Sequence, residues 1–389
     1  MTLFRTALAA SLLLLPATAC GQEAPAGPSP APADSLLHPA IAAFAARLAA
    51  EVAEDAVGSV AAAVVLGDSV AWSGAFGVAD RGTGAPATVE TLYRVGSLTK
   101  MVTAAALMRL VAGGAVSLDE PVAVRVPEIA GLAGLEATDR PLTYADLASH
   151  TAGLEREPSS SLAARGRGWQ RKTLEAIPVT QVRGSPGEAY LYSNIGYAIL
   201  GLALERAGRR RYEALVTEEV LAPLRMTSSS FAIRRRDRDR LATGYVNLAD
   251  GTVDPRVPRA EHRGRGYKVP NEGLYSTVGD LARLVMGLSG ALGDALLDED
   301  GRAAMLTNRS PGGDPRAGYG LGLQLTRIGD TLLAGHSGTV AGYASYLTFD
   351  PATGVGVIIL RNYNLGKTNL GAEAHGLVLE LVTGDPSTR

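Results

Sequence analysis

Apolar and polar positions change period twice along the chain. Residues 38–56 set Ile41, Phe44, Leu48 and Val52 near helical spacing in an Ala-rich run, which predicts a helix. From Ser59 the pattern becomes that of strands. Residues 59–66 and 70–78 are rich in β-formers and flank Gly67-Asp68-Ser69, a hairpin turn. Trp72 and Phe76 alternate along the second of these strands, as core residues would. The style returns near the C-terminus. Residues 321–328 and 331–334 flank Gly329-Asp330, and residues 343–349 and 355–360 flank the turn 350–354. A last helix is expected over 369–382. Between the two ends, helices are expected over 99–112, 143–149, 193–207 and 212–221. Hairpins at both termini with helices between them predict an α+β, two-lobed fold. One antiparallel sheet is built from both termini and flanked by helices, with an all-helical lobe inserted over about 115–315. The alternating charges of residues 234–240 (RRRDRDR) are expected on a solvated loop.

The first residues have a different purpose. Arg5 precedes a short apolar stretch, Ala7 to Leu15, too short for the ~20 residues that span a bilayer. Ala17-Thr18-Ala19 then present small residues ahead of Cys20, so residues 1–19 are expected to be a secretory signal. A cysteine at this place resembles the bacterial lipoprotein signal, which implies a lipid attached at Cys20 and a location in the bacterial cell envelope. Residues 20–37 are rich in Pro, Ala, Gly and Ser and suit an extended tether between a lipid anchor and a domain over 38–389.

Composition narrows the chemistry. The 389 residues carry 37 basic and 39 acidic side chains, a balance unlike the basic excess of a nucleic-acid binder. A single cysteine excludes an intrachain disulfide. The five histidines include no H-E-x-x-H, so no metal and no cofactor are expected. Oxygen and nitrogen side chains must carry any reaction.

Three separated motifs can do so. Ser97-Leu98-Thr99-Lys100 opens an apolar helix, with Lys100 three residues beyond Ser97 on the same face. Burial of that helix would lower the pKa of Lys100, and a neutral amine can take the proton of Ser97. An N-cap serine with a surface lysine would share this spacing. Tyr192-Ser193-Asn194 offers a phenol for proton relay and an amide for orienting a substrate, or simply a helix cap. His336-Ser337-Gly338 ends a strand, where Gly338 permits close approach and a following N–H can face an oxyanion. A turn with a surface histidine is the plain alternative.

In this order, S-x-x-K, Y-x-N and a polar triplet ending in Gly resemble the penicillin-recognising serine hydrolases. Tyr192-Ser193-Asn194 is similar to the class C β-lactamase branch with its D,D-peptidase and esterase relatives. The segments LTYADLASHTAGL (142–154), PGEAYLYSNIGYAILG (186–201), LAPLRMTSS (221–229), EGLYSTVGDLARLV (272–285), YGLGLQL (319–325) and GHSGTVAGYASYLTFDP (335–351) extend the resemblance over residues 38–383. It implies a β-lactamase/transpeptidase-like fold and an acyl-enzyme at Ser97. Lys100 and Tyr192 would share general-base and relay duty. Asn194, His336, Ser337, Gly338 and Thr339 would contact substrate, with the N–H groups of Ser97 and Thr339 as oxyanion donors. Tyr343 would line the pocket or pack in the core, His150 would fix a loop, Glu188 would order the Tyr192 loop, and Trp169 could edge the cleft. His336 stands where β-lactamases carry a lysine. A largely neutral imidazole weakens carboxylate recognition and favours esterase or aminopeptidase-like relatives. The implied partners are a small-molecule ester, peptide or β-lactam, with peptidoglycan as a further candidate. A class C-like β-lactamase and a non-catalytic peptidoglycan- or partner-binding envelope protein are the alternatives.

Overall fold

A computed structural model describes residues 38–159, 166–248, 250–312, 314 and 316–385. The expected signal segment, Cys20 and the tether lie outside these residues.

Eight antiparallel strands form the main sheet. Their order is Ala85–Pro86, Ser69–Asp80, Ser59–Leu66, Gly356–Arg361, Tyr343–Phe349, Thr331–Val340, Gln324–Ile328 and Ala317–Tyr319. The two chain ends meet where Ser59–Leu66 pairs with Gly356–Arg361, Val60 opposite Arg361 and Val64 opposite Val357. The sheet is thus built from both termini, as the periodicity predicts.

Strand alternation divides the apolar side chains between two cores. Val60, Ala62, Val64, Val357 and Ile359 face one cluster, with Ile41, Phe44, Leu48 and Val52 of the helix Pro39–Asp55. Leu377 and Val378 of the helix Leu370–Thr383 complete that layer, and Trp72 and Phe76 pack at its edge. Ala61, Ala63, Val65, Ile358 and Leu360 face the other cluster. There they meet Leu281, Leu284 and Val285 of the helix Val278–Ser289 and the apolar helix Thr99–Ala112. A strand covered on both faces must be apolar throughout, which is why SVAAAVVL lacks a polar alternate.

Four local expectations change. The strand expected over 321–328 begins only at Gln324 and runs to Ile328, and a separate short strand, Ala317–Tyr319, precedes it. Between them Gly322 has φ +70°, and Leu321 and Leu323 are buried in the core beside the helix Thr99–Ala112. The strand expected to stop at Ala334 runs on to Val340, so the His336 motif lies within a strand rather than at its end. Residues 235–240 keep Arg235, Arg236, Arg238 and Asp239 exposed, as expected of a solvated segment, but they form a 3-10 turn around a buried Asp237 that holds Arg234 and Arg240. Within the inserted segment 115–315, the helix Val278–Ser289 packs on the sheet, and two-residue strands interrupt the helices: Val246–Asn247 pairs with Val253–Asp254, and Tyr275–Ser276 pairs with Tyr93–Arg94 from before the segment.

Candidate active site

Ser97 sits in a 3-10 turn, Gly96–Leu98, that feeds directly into the helix Thr99–Ala112. That helix is buried on nearly every side, with only Arg109, Val111 and Ala112 outside the core. Lys100, in its first turn, is therefore fully buried. Its Nζ lies 3.2 Å from Ser97 Oγ, 2.8 Å from Asn194 Oδ1 and 3.2 Å from the carbonyl oxygen of Asn271. Burial, the largest cause, pushes its pKa down to about 7, while the carboxylates of Glu272 and Glu157 hold it up.

The second motif enters from the helix Asn194–Gly208. Ser193 caps that helix by accepting from the N–H of Gly196 at 3.0 Å, so the simple structural reading of Ser193 is realised. The cap places Tyr192 just outside the helix and Asn194 in its first turn. The Tyr192 hydroxyl donates to Ser97 Oγ at 2.9 Å. Burial keeps that phenol protonated, well above its ordinary pKa. Asn194 Nδ2 donates to Glu157 Oε1 at 2.6 Å, which fixes the amide with its oxygen toward Lys100.

His150 holds the tyrosine from behind. Its φ of 62° closes the helix Tyr144–Ser149 in the left-handed region. Its ring lies 4.1 Å from the Tyr192 ring, centroid to centroid, and its Nδ1 accepts from the N–H of Ser193 at 3.0 Å. The Arg156 guanidinium lies 4.7 Å from the Tyr192 ring centroid. Glu188 accepts from the N–H of Ser185 at 2.9 Å and braces the preceding loop.

The third motif supplies a strand edge. Pairing of Thr331–Val340 with Gln324–Ile328 ends at Gly335 opposite Gln324. The N–H of Ser337, two residues on, donates to Gln324 Oε1 at 3.0 Å. Alternation turns the N–H of Thr339 to the same edge, where no strand pairs with it among the described residues. Gly96, with φ +54°, abuts this point: a Cβ there would lie 3.1 Å from Thr339 N. Gly338 is equally confined, since a Cβ would come within 2.3 Å of Val95 O and of Ser345 Oγ. Only glycines let the serine turn and the strand meet.

Three expected contacts fall elsewhere. His336 is buried, not presented to the cleft. Its Nδ1 lies 2.6 Å from the carbonyl oxygen of Ser337 and must donate to it. Nε2 is then the acceptor for the Tyr319 hydroxyl at 2.9 Å. Burial pushes its pKa down to about 3, and Lys100 adds to this, so it stays neutral. Tyr343 is fully buried and donates to the carbonyl of Ala242 at 2.7 Å, apart from Ser97; it packs in the core. Trp169 likewise turns inward, its Nε1 donating to Glu213 at 3.0 Å. Glu157, Asn271, Glu272 and Tyr319 join the site without having been singled out. Asn271 contributes a backbone carbonyl, which no side-chain pattern can signal. Tyr319 was within reach, since it opens the YGLGLQL segment.

A family model described as Beta-lactamase matches residues 44–380. The D-alanyl-D-alanine-carboxypeptidase/endopeptidase AmpH of Escherichia coli strain K12 is 24% identical over 314 residues, 77% of this chain and 78% of that protein. Beta-lactamase-like protein 2 of Dictyostelium discoideum is 30% identical over 241 residues, 60% of this chain but 42% of that protein. The chain thus spans less than half the length of that relative. Among solved structures, the octameric penicillin-binding protein homologue from Pyrococcus abyssi superposes with a TM-score of 0.74 at 24% identity, covering 89% of this chain and 78% of that one. Motif order, fold and family match agree, and the chain belongs to the β-lactamase family.

Proposed function

We propose that the protein is a serine hydrolase that cleaves an ester or amide bond through an acyl-Ser97 intermediate. Esterase and D,D-peptidase or aminopeptidase-like substrates come ahead of β-lactams. The observation that carries this reading is the arrangement around Lys100. Its three polar neighbours are Ser97 Oγ, Asn194 Oδ1 and Asn271 O. The last two can only accept. A neutral amine gives them its two N–H bonds and keeps its lone pair for the Ser97 proton. An amine with a pKa near 7 is neutral in a large fraction of molecules at neutral pH, and so can act as general base. Tyr192, protonated and donating to Ser97 Oγ, is suited to relay rather than to the base role.

In this reading the substrate carbonyl oxygen sits between the N–H groups of Ser97 and Thr339. Ser97 Oγ bonds to the carbonyl carbon as its proton passes to Lys100. The C–O or C–N bond breaks, and the leaving atom takes a proton by way of the Tyr192 phenol. Water then attacks the acyl group by the same route in reverse, releasing the acid and restoring Ser97. Asn194 orients Lys100 through Oδ1, while Ser337, Gly338 and Thr339 offer the strand edge to the substrate. No ammonium stands at His336 to bind a β-lactam carboxylate, which ranks the β-lactamase alternative lower. The assembled Ser97, Lys100 and Tyr192 weigh against a non-catalytic binding module. The lipoprotein-like segment before Cys20 supports export and a lipid anchor in the cell envelope.

Turnover of short-chain nitrophenyl esters, D-alanyl peptides and nitrocefin tests this reading. Esters or D-alanyl peptides are expected to lead, and Ser97→Ala or Lys100→Ala to lose about 10³-fold or more. Equal turnover by the wild type and Ser97→Ala on every substrate would overturn it.

A further inference from the structure

The open edge of the strand Thr331–Val340 is already partly taken. Ser337 and Thr339 turn their N–H groups to the same side of it. Thr339 faces the serine turn, since a Cβ on Gly96 would lie 3.1 Å from its nitrogen. Ser337 is occupied, its N–H donating to Gln324 Oε1 at 3.0 Å. The backbone of Gln324 is held on both sides, opposite Gly335 and opposite Tyr319. The chain before Gln324 leaves the sheet, and the Gln324 carboxamide continues the ladder by one rung in its place.

An amide accepts an N–H only through its oxygen, which fixes the orientation of this carboxamide. Its Nε2 has no hydrogen-bond partner among the described residues, so one hydrogen bond holds the cap. Gln324 also lines a cavity of about 400 Å³ with Tyr190 and Tyr319, which gives the side chain room to turn aside.

The capped rung lies on the side of the leaving group. In the proposed reaction Tyr192 gives its proton to the leaving atom. The Tyr192 ring lies 6.2 Å from the ring of His336, the residue next to Ser337. With the carbonyl oxygen between the N–H groups of Ser97 and Thr339, the leaving group runs back along the edge toward Ser337. A carboxylate on that group would find a charge-assisted hydrogen bond at the Ser337 N–H. Gln324 holds that donor and presents an oxygen there, to which a carboxylate cannot bond.

We propose that Gln324 is the specificity-determining residue on this side. It closes the Ser337 rung to a leaving-group carboxylate, so that the preferred substrates are esters and amides whose leaving group carries none. The proposal rests on the acyl-Ser97 reading and narrows it. Peptides that release a C-terminal amino acid rank below esters and amides with uncharged leaving groups.

The phenyl and 3-carboxyphenyl esters of N-acetylglycine test it. Both pass through one acyl-enzyme and differ only in the leaving group. The wild type is expected to favour the phenyl ester. Gln324→Ala should raise the ratio of kcat/KM, 3-carboxyphenyl over phenyl, by about tenfold. Gln324→Glu keeps an acceptor on Ser337 and adds a negative charge, so its ratio should fall below that of the wild type. Arg156, the exposed cation against the Tyr192 ring, is present in every variant, so its charge cancels between them. A general loosening of the edge would lower both esters together and leave the ratio in place. Calorimetry of 3-hydroxybenzoate on Ser97→Ala, with and without Gln324→Ala, reads the rung apart from catalysis. The double variant should bind it about tenfold more tightly. A wild-type preference for the 3-carboxyphenyl ester would overturn the proposal. So would an unchanged or lower ratio in Gln324→Ala, a raised ratio in Gln324→Glu, or equal binding by the two calorimetry proteins. If the wild type turns over neither ester, the acyl-Ser97 reading falls, and the calorimetry still decides whether Gln324 closes the rung.

Discussion

Lys100 is the residue on which pH acts. An exposed lysine stays charged to about pH 10.4, and burial here brings its pKa down to about 7. In the proposed mechanism the neutral amine is the active base. Activity on a neutral ester should therefore rise with pH through about 7 and level off above it. His150 and His336 add nothing in this range, because burial holds both well below 6.5. The Glu272 carboxylate favours the ammonium of Lys100. Glu272→Gln should then move the limb to lower pH. A pH–rate profile of kcat/KM checks this, and a limb that stays in place or moves upward would contradict it. At this scale the sequence spacing was informative for Ser97 and Lys100, because three residues on a helix fix one face. It was not informative for His336. The direction of that ring depends on Tyr319, seventeen residues away and brought near only by strand pairing.

At the scale of elements, the site depends on how closely a helix start can approach a strand. The turn Gly96–Leu98 meets the strand Thr331–Val340 at Gly338, with Val95 O also accepting from Ser345 Oγ at 2.9 Å. Gly338→Ala would drive a methyl group into Val95 O and Ser345 Oγ. The strand must then move away from Ser97, carrying the N–H of Thr339 with it. Loss of one oxyanion donor costs about 10²-fold in kcat, and a loss of that order is expected here, with a lowered Tm. Steady-state kinetics with thermal melts measures both; an unchanged kcat would show that the strand does not position the oxyanion. The helices and hairpins were largely legible because their periods are long and undisturbed. The late start of the strand expected over 321–328 was not, since Leu321 and Leu323 leave the sheet for the serine helix, and local pattern cannot distinguish one apolar destination from the other.

Across the whole molecule, the sheet joins what the sequence separates. The strand Ser59–Leu66 closes against Gly356–Arg361, and the buried pair Arg361–Glu51, 2.6 Å apart, ties the first helix to the same seam. With that closure, Ser97, Tyr192 and Thr339 arrive at one place from three distant stretches of chain. The motif order and the two-ended sheet were legible from the start. The buried cluster of Arg94 with Glu261 and Glu272 was not, because its members meet only after folding. The central claim is that this convergence makes Ser97 a nucleophile. Labelling with a fluorophosphonate probe, followed by peptide mapping, tests it most directly. The account predicts one adduct per chain, on Ser97, that is absent from Ser97→Ala and much slowed in Lys100→Ala. No adduct on Ser97 under conditions that label a control serine hydrolase, or equal labelling of Ser97→Ala, would contradict it.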